Sequence, residues 1–317
     1  MSEFHAVAHP NIAVIKYWGK RDIPRNLPAV SSVSLTLSPF LTETTLTWGS
    51  RADRFQLDGA PALPGEAQKV FQLLDRMAPG RPSVEIDSHN SFPTGSGLAS
   101  SASGFAALVA VFARAAGLDP DPISLSRWAR QGSGSACRSF WGGWVAWQKG
   151  TDPAGADSHG MPLDPGPWDV VMVVGVVSTK RKAVGSTEAM ERARRTSPAW
   201  PAWLDTSEPL VQAGIAAIRA RDLPTLGELM ERSTLLMHAT AWTSVPPVVY
   251  WQPNTLAAWL AVAGLRAEGI AAWATMDAGP QVKVLCARSD VLRVIDALTP
   301  VVERVVLCEP GPAPSVR

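Results

Sequence analysis

Cysteine is scarce in this 317-residue chain: Cys137, Cys286 and Cys308 are odd in number, widely spaced and without a CxxC pair. That pattern supports neither a disulfide scaffold nor a zinc site, and it points to a reducing compartment. Net charge is equally small. The 29 Lys and Arg against 28 Asp and Glu leave a formal +1, so nothing draws the whole molecule to nucleic acid or an acidic membrane, and any basic patch must be local. No apolar run approaches the roughly 20 residues needed to span a bilayer. The opening MSEFHAVAHPN has neither a basic n-region nor an apolar h-region, so no secretory signal is expected and the reading is cytoplasmic. Internal repeats and low-complexity segments are lacking, and only the Pro-rich tail after Glu309 has the composition of a disordered segment. The five histidines are scattered, and none is assigned catalysis.

What is present is the composition of a compact globular protein, 46% hydrophobic and 18% charged, long enough for one large domain or two of ordinary size. Thirteen tryptophans are many for this length and read as core or subunit contacts. The stretch over 90–117, NSFPTGSGLASSASGFAALVAVFARAAG, is the one around which the rest is organised. A strand-like SVEID leads into a Gly/Ser loop over 93–103, then into a helix. Phe105, Leu108, Val109 and Phe112 recur there at steps of three and four, predicting one buried face. The helix's small first turn leaves its backbone N–H groups and dipole open to phosphate oxygens. The loop is neither G-x-x-x-x-G-K-[ST] nor G-x-G-x-x-G, so it is a phosphate cradle of another kind.

In chain order, 11–18 (NIAVIKYW) reads as a central strand, apolar on both faces, interrupted by Lys16. A lysine there is either at an exposed strand end or held by a carboxylate. VSLTLSP alternates cleanly, and 44–48 with 54–57 looks like a hairpin. Pro64 starts a helix with the stripe Val70, Leu73, Leu74 and Met77. GSGSACRS, over 132–139, looks like a second small-residue anion nest, this one carrying an arginine. The change of domain is placed after the buried strand VVMVVGVVS, near Ser178. Beyond it come helices over 186–195, 207–221, 223–238 and 255–268. Strands over 270–276 and 282–287, a helix over 290–298 and a strand over 301–308 complete an α+β second half.

Four blocks, NIAVIKYWGKRD, FPTGSGLASSAS, GSGSACRS and MDAGPQVKVL, together resemble the diphosphomevalonate decarboxylases, and KRKAVGSTEAM and RRTSPAWPAWLD extend the likeness. That family lies within the superfamily of galactokinase, homoserine kinase, mevalonate kinase and phosphomevalonate kinase. The resemblance implies a two-domain α+β GHMP-kinase-like fold. A ribosomal protein S5 domain 2-like ATP-binding domain (1–178) would be followed by a ferredoxin-like domain (179–317). It implies ATP-dependent decarboxylation of (R)-5-diphosphomevalonate to isopentenyl diphosphate, with ATP and Mg²⁺ as the only helpers and a homodimer as the usual assembly. Asp277 would act on the substrate hydroxyl, Lys16 would keep it ionised, and Arg138 would grip the substrate carboxylate. Tyr17, Lys20, Ser133 and Ser135 would hold the diphosphate with Trp18 packed nearby, and Ser186 and Met190 match positions lining the same pocket. ATP would lie along Pro93, Gly95, Ser96, Gly97, Leu98, Ala99, Ser100, Ser101 and Ser103. Either Ser100 or Ser101 would reach Mg²⁺ or the γ-phosphate, the other acting as a cap. Lys180, Arg181 and Lys182 form a basic run that either covers the nucleotide phosphates or is a solvated cluster.

Three departures stand at the site's edge: Gln281, Ser96 and Gly185 replace residues commonly asparagine, alanine and serine. They leave room for a 5-phosphomevalonate decarboxylase. A mevalonate 3-kinase or a silent nucleotide or metabolite sensor would be expected to have lost the set Lys16, Arg138 and Asp277, which is intact here.

Overall fold

Alternation and periodicity become elements where the pattern can be buried. A computed structural model of the chain describes residues 2–92, 97–180 and 182–317. The first half runs β1 (Ser2–Ala8), β2 (Asn11–Ile15), a small ribbon of β3 (Lys20–Asp22) and β4 (Leu27–Pro28), then β5 (Ser32–Ser38), β6 (Thr42–Trp48), β7 (Arg54–Leu57) and β8 (Ala60–Pro61). It continues with α1 (Pro64–Met77), β9 (Val84–Asn90), α2 (Ser100–Ala115) and α3 (Pro122–Gly132). A 3₁₀ turn over Gly134–Phe140 then leads to β10 (Trp144–Trp147) and β11 (Gly160–Leu163). The second half has β12 (Val170–Val176), α4 (Ser186–Thr196), α5 (Trp200–Ala220), α6 (Leu223–Trp242), α7 (Pro253–Ala267), β13 (Ala272–Thr275) and β14 (Val282–Ala287). It ends with α8 (Val291–Leu298), β15 (Arg304–Pro310) and β16 (Ser315–Val316).

Six strands form one sheet in the order β16-β1-β6-β9-β7-β8. The hairpin expected of β6 and β7 does not form, because β9 lies between them, antiparallel to β6 and parallel to β7. On this sheet pack α1, through the stripe Val70, Leu73, Leu74 and Met77, and α2. Burial of α2 extends around the helix from Ala106 to Ala113 and exceeds the single face its pattern predicts; Phe105 is only half-buried. The Pro-rich tail is not loose either: β16 pairs with β1, matching Val316 to Ala6.

The second sheet runs β11-β10-β5-β15-β12-β14-β13, with β2 beside β5. Its last four strands pair antiparallel in the order β15-β12-β14-β13, with helices between β12 and β13 and between β14 and β15, the ferredoxin-like βαββαβ arrangement. Hydrogen bonding therefore places β12 with the second half, ahead of the change expected at Ser178. Through Glu309↔Ser38 and Pro310↔Leu37, β15 also joins β5, so one sheet crosses both halves. The tryptophans are largely structural. Trp18, Trp147 and Trp203 are buried, Trp144 stacks on Trp168, and Trp242, Trp251 and Trp259 meet around α6 and α7.

Candidate active site

Strand β2 ends at Ile15, and the next residue, Lys16, is 1% exposed. Its Nζ donates to Ala13 O at 2.6 Å and to Asp277 Oδ1 at 2.8 Å. Of the two placements open to this lysine, the carboxylate partner is the one found. Asp277 follows β13 in the Asp-Ala-Gly-Pro turn, closed by Gly279 N to Asp277 O at 2.8 Å. From β14 comes a second cation. The Nζ of Lys283, whose side chain is fully buried, lies 3.1 Å from Asp277 Oδ2 and donates to Gly97 O at 2.9 Å. Oδ2 is thus buried and ion-paired, with no aligned hydrogen-bond donor among the described residues. Sequence reasoning gives Lys283 no role. The signal available was a lysine inside the otherwise apolar VKVLCA.

Charge follows from this packing. Burial alone would raise the Asp277 carboxyl, but the ammonium groups of Lys16 and Lys283 outweigh it and hold the group well below the usual carboxylate range. Burial pushes Lys16 down to about 8 against the upward pull of Asp277. It does the same to Lys182, whose Nζ donates to Ala278 O at 2.8 Å and lies 5.8 Å from the Tyr250 ring centroid. Lys20 also sits at about 8, through burial and then the nearby Lys69.

Arg138 is carried on the 3₁₀ turn and is 2% exposed. Its Nε donates to Asn11 Oδ1 at 2.9 Å and its Nη1 to Ser32 Oγ at 2.6 Å, with the guanidinium 5.6 Å from the Trp147 ring centroid. Asn11 is fixed in turn by donating to Ser139 Oγ and Ser135 O. The small residues around Arg138 admit it to the interior, where its free edge meets a cavity.

That cavity, about 690 Å³, is lined by Arg138, Asp277 and Lys182, with Lys16 lying behind the carboxylate. Tyr17, Trp18, Lys20, Ser133, Ser135, Ser186 and Met190 all line it. Gly97, Ala99, Ser100 and Ser101 line it from the loop side, and Ser101 Oγ reaches Ser133 Oγ at 3.1 Å, joining the two small-residue segments. Two expected nucleotide contacts turn away. The Leu98 side chain is packed in the core, and Ser103 Oγ is bound by Thr42 Oγ1 at 2.7 Å beneath α2. Pro93, Gly95, Ser96 and Arg181 lie outside the described residues. Residues missed in the sequence include Lys69, 5.2 Å from the Phe105 ring centroid, and Phe55, Leu57 and Leu108, which give the far end of the cavity apolar walls. The Tyr17 hydroxyl is buried with no hydrogen-bond partner among the described residues.

Backbone geometry opens the loop side. Ala99, the N-cap of α2, is left-handed at φ +58°, an unfavourable state for a residue with a Cβ, and its own side chain provides no cap. Gly97 has φ +96°, and a Cβ on it would stand 2.8 Å from Gly279 Cα, so glycine loop and aspartate turn touch through backbone. Among the described residues no group of three or more His, Cys, Asp or Glu could hold a metal ion. A divalent ion here would rest on a serine hydroxyl and on ligand phosphate oxygens.

A glycine loop feeding a helix, opposite a ferredoxin-like half and across a charged cavity, defines a two-domain enzyme of the GHMP-kinase type. Residues 8–160 match the diphosphomevalonate decarboxylase-like N-terminal domain, and 172–309 match the mevalonate 5-diphosphate decarboxylase C-terminal domain. The chain belongs to the diphosphomevalonate decarboxylase family. It is 39% identical to the diphosphomevalonate decarboxylase of Aspergillus fumigatus over 305 residues, 88% of this chain and 76% of that one. The solved mevalonate diphosphate decarboxylase from Enterococcus faecalis superposes with a TM-score of 0.92 at 37% identity, covering 99% of this chain and 98% of that one. A structure with the same score, identity and coverage is a complex with MVAPP, AMPPCP and magnesium.

Proposed function

We infer that this chain catalyses the ATP-dependent decarboxylation of (R)-5-diphosphomevalonate to isopentenyl diphosphate, ADP, phosphate and CO₂, in the mevalonate pathway. The observation that carries the residue roles is a carboxylate set between two buried ammonium groups and sharing one cavity with a guanidinium and the start of α2. Arg138, with Nε and Nη1 already anchored, offers the remaining edge of its fork to the substrate carboxylate. Asp277, which lines the same cavity, accepts from the tertiary hydroxyl. A carboxyl this acidic keeps a proton poorly, so its part is to orient the hydroxyl toward the γ-phosphate, whose oxygens take the proton as the new P–O bond forms and the bond to ADP breaks. Phosphoryl transfer asks chiefly for such positioning and for charge neutralisation. The new tertiary phosphate then departs with the pair of its C–O bond while the pair released by CO₂ loss forms the double bond, so no organic electron sink is needed.

The diphosphate is assigned to Lys20, Lys69, Ser133, Ser135 and the unsatisfied Tyr17 hydroxyl, with Ser186 at the start of α4. The nucleotide phosphates are assigned to the start of α2, and the base to the apolar end at Phe55 and Phe105. Mg²⁺ would be held by Ser100 or Ser101 together with phosphate oxygens, and it supplies charge neutralisation when bound. A homodimer and a cytoplasmic setting belong to the same proposal, and three buried free thiols suit reducing surroundings. No helix among the described residues is long and apolar enough to cross a membrane.

The test is an end-point assay with ATP and, in turn, mevalonate, its 5-phosphate and its 5-diphosphate. CO₂ and isopentenyl diphosphate are expected from the diphosphate. CO₂ from the monophosphate alone, or a phosphorylated product with no CO₂, would refute the assignment.

A further inference from the structure

Among the six residues of β14, Lys283 is the only charged one, and its side chain is fully buried. An ammonium group in such a place is costly unless it finds partners. Both of its partners lie outside β14: Asp277 Oδ2 on the aspartate turn and Gly97 O on the glycine loop, 186 residues away in sequence. Neutralising Asp277 does not by itself require this second cation, since Lys16 already stands 2.8 Å from Oδ1. What Lys283 adds is a link. The base of β14 is itself held: Gln281 Oε1 accepts from Val177 N at 2.6 Å, and Nε2 donates to Ser178 O at 2.5 Å. Loop and turn meet directly as well, Gly97 against Gly279, with no space for a Cβ between them.

We propose that Lys283 is a positioning residue for the reaction, one ammonium group that fixes the glycine loop through Gly97 and the substrate-facing carboxylate of Asp277 at the same time. Nucleotide binding and alignment of the carboxylate are thereby tied to one rigid point in β14. The inference rests on the ATP-dependent reading above and extends it to a residue that contacts neither substrate. Other charged or titratable groups facing Asp277 are Lys16 from the end of β2, Lys182 from the segment before α4, Arg138 from the 3₁₀ turn and His238 on α6. All of them remain when Lys283 alone is changed.

The experiment compares wild type with Lys283→Met, Lys283→Gln and Lys283→Arg. Binding of a non-hydrolysable ATP analogue is followed by tryptophan fluorescence, and kcat/KM is profiled from about pH 3 to 9. Methionine removes both contacts. The analogue's Kd and the KM for ATP are expected to rise about tenfold, the size of one lost charge-assisted hydrogen bond. A new acid limb should appear in kcat/KM as Asp277 moves back toward ordinary acidity. Arginine keeps the charge and the donors, so it should restore Kd to within about threefold and remove the acid limb. Glutamine follows methionine in the acid limb and serves in its place should methionine not fold. Methionine and glutamine variants with wild-type Kd and an unchanged profile, whatever their melting temperatures, would overturn the proposal. So would a folded arginine variant as impaired as methionine. Absence of turnover in the wild type would instead count against the function itself.

Discussion

Replacing Asp277 by asparagine removes the only ion-pair partner that Lys16 and Lys283 have among the described residues. Each lysine would keep a single carbonyl, Ala13 O or Gly97 O. Breaking a buried pair in this way costs about 3–5 kcal/mol unless a cation sheds its proton. Lys16 is poised to do so, because its pKa of about 8 already includes the upward pull of Asp277. Without that pull it falls lower, and the stability deficit of Asp277→Asn relative to wild type should narrow as pH rises toward 8. Turnover should fall by at least about 10²-fold at every pH, as for loss of the group that orients the reacting hydroxyl. The companion is Lys16→Met/Asp277→Asn, in which both charges go and an apolar side chain fills the lysine's place. Removing both members of a buried pair is often neutral, but Lys283 is left without its ion-pair partner, so this variant should regain part of the lost melting temperature and none of the activity. Thermal melts run beside CO₂ release measure both. Turnover of Asp277→Asn within tenfold of wild type, or a double variant no more stable than the single, would refute the reasoning.

Arg138→Lys should lose at least about 10²-fold in kcat/KM, since an ammonium cannot keep the bonds to Asn11 and Ser32 while gripping a carboxylate; steady-state kinetics decide it. Gly97→Ala, forced into φ +96° with its Cβ against Gly279, should raise the KM for ATP more than it lowers kcat, as a substrate titration would show. The pH profile of kcat/KM should fall on the alkaline side with a midpoint near 8 as Lys16, Lys20 and Lys182 lose their protons. Asp277 acts oppositely on stability. Its depressed pKa contributes stability that is complete above its ordinary 3.8 and disappears as pH falls below it, which acid melts of wild type against Asp277→Asn would detect.

Local patterns carried the sequence reading a long way. The stripe of α1 and the helices of the second half follow from periodicity, because each is decided by residues a few positions apart, whereas β5 alternates in sequence yet is buried on both faces. Pairing between distant strands was not legible. β6 and β7 look like neighbours in the chain, yet β9, arriving nearly thirty residues later, takes the place between them. β11 and β16 are short edge strands without alternation, and their partners define them. Lys16, Arg138 and Asp277 were named from motif likeness, whereas the geometry that joins Lys16 to Asp277 spans 261 positions. Lys283 and Lys69 were passed over because a lone lysine in a strand or on an amphipathic helix carries no local mark of what faces it.

The hydrogen bonds between β15 and β5, with those between β16 and β1, have a mechanical consequence. Two lobes stitched by a shared sheet cannot swing apart like jaws without tearing backbone bonds. Accommodation of ligands therefore falls to small segments around the cavity mouth. For the same reason heat should find no weak seam, and the chain should melt in one cooperative step.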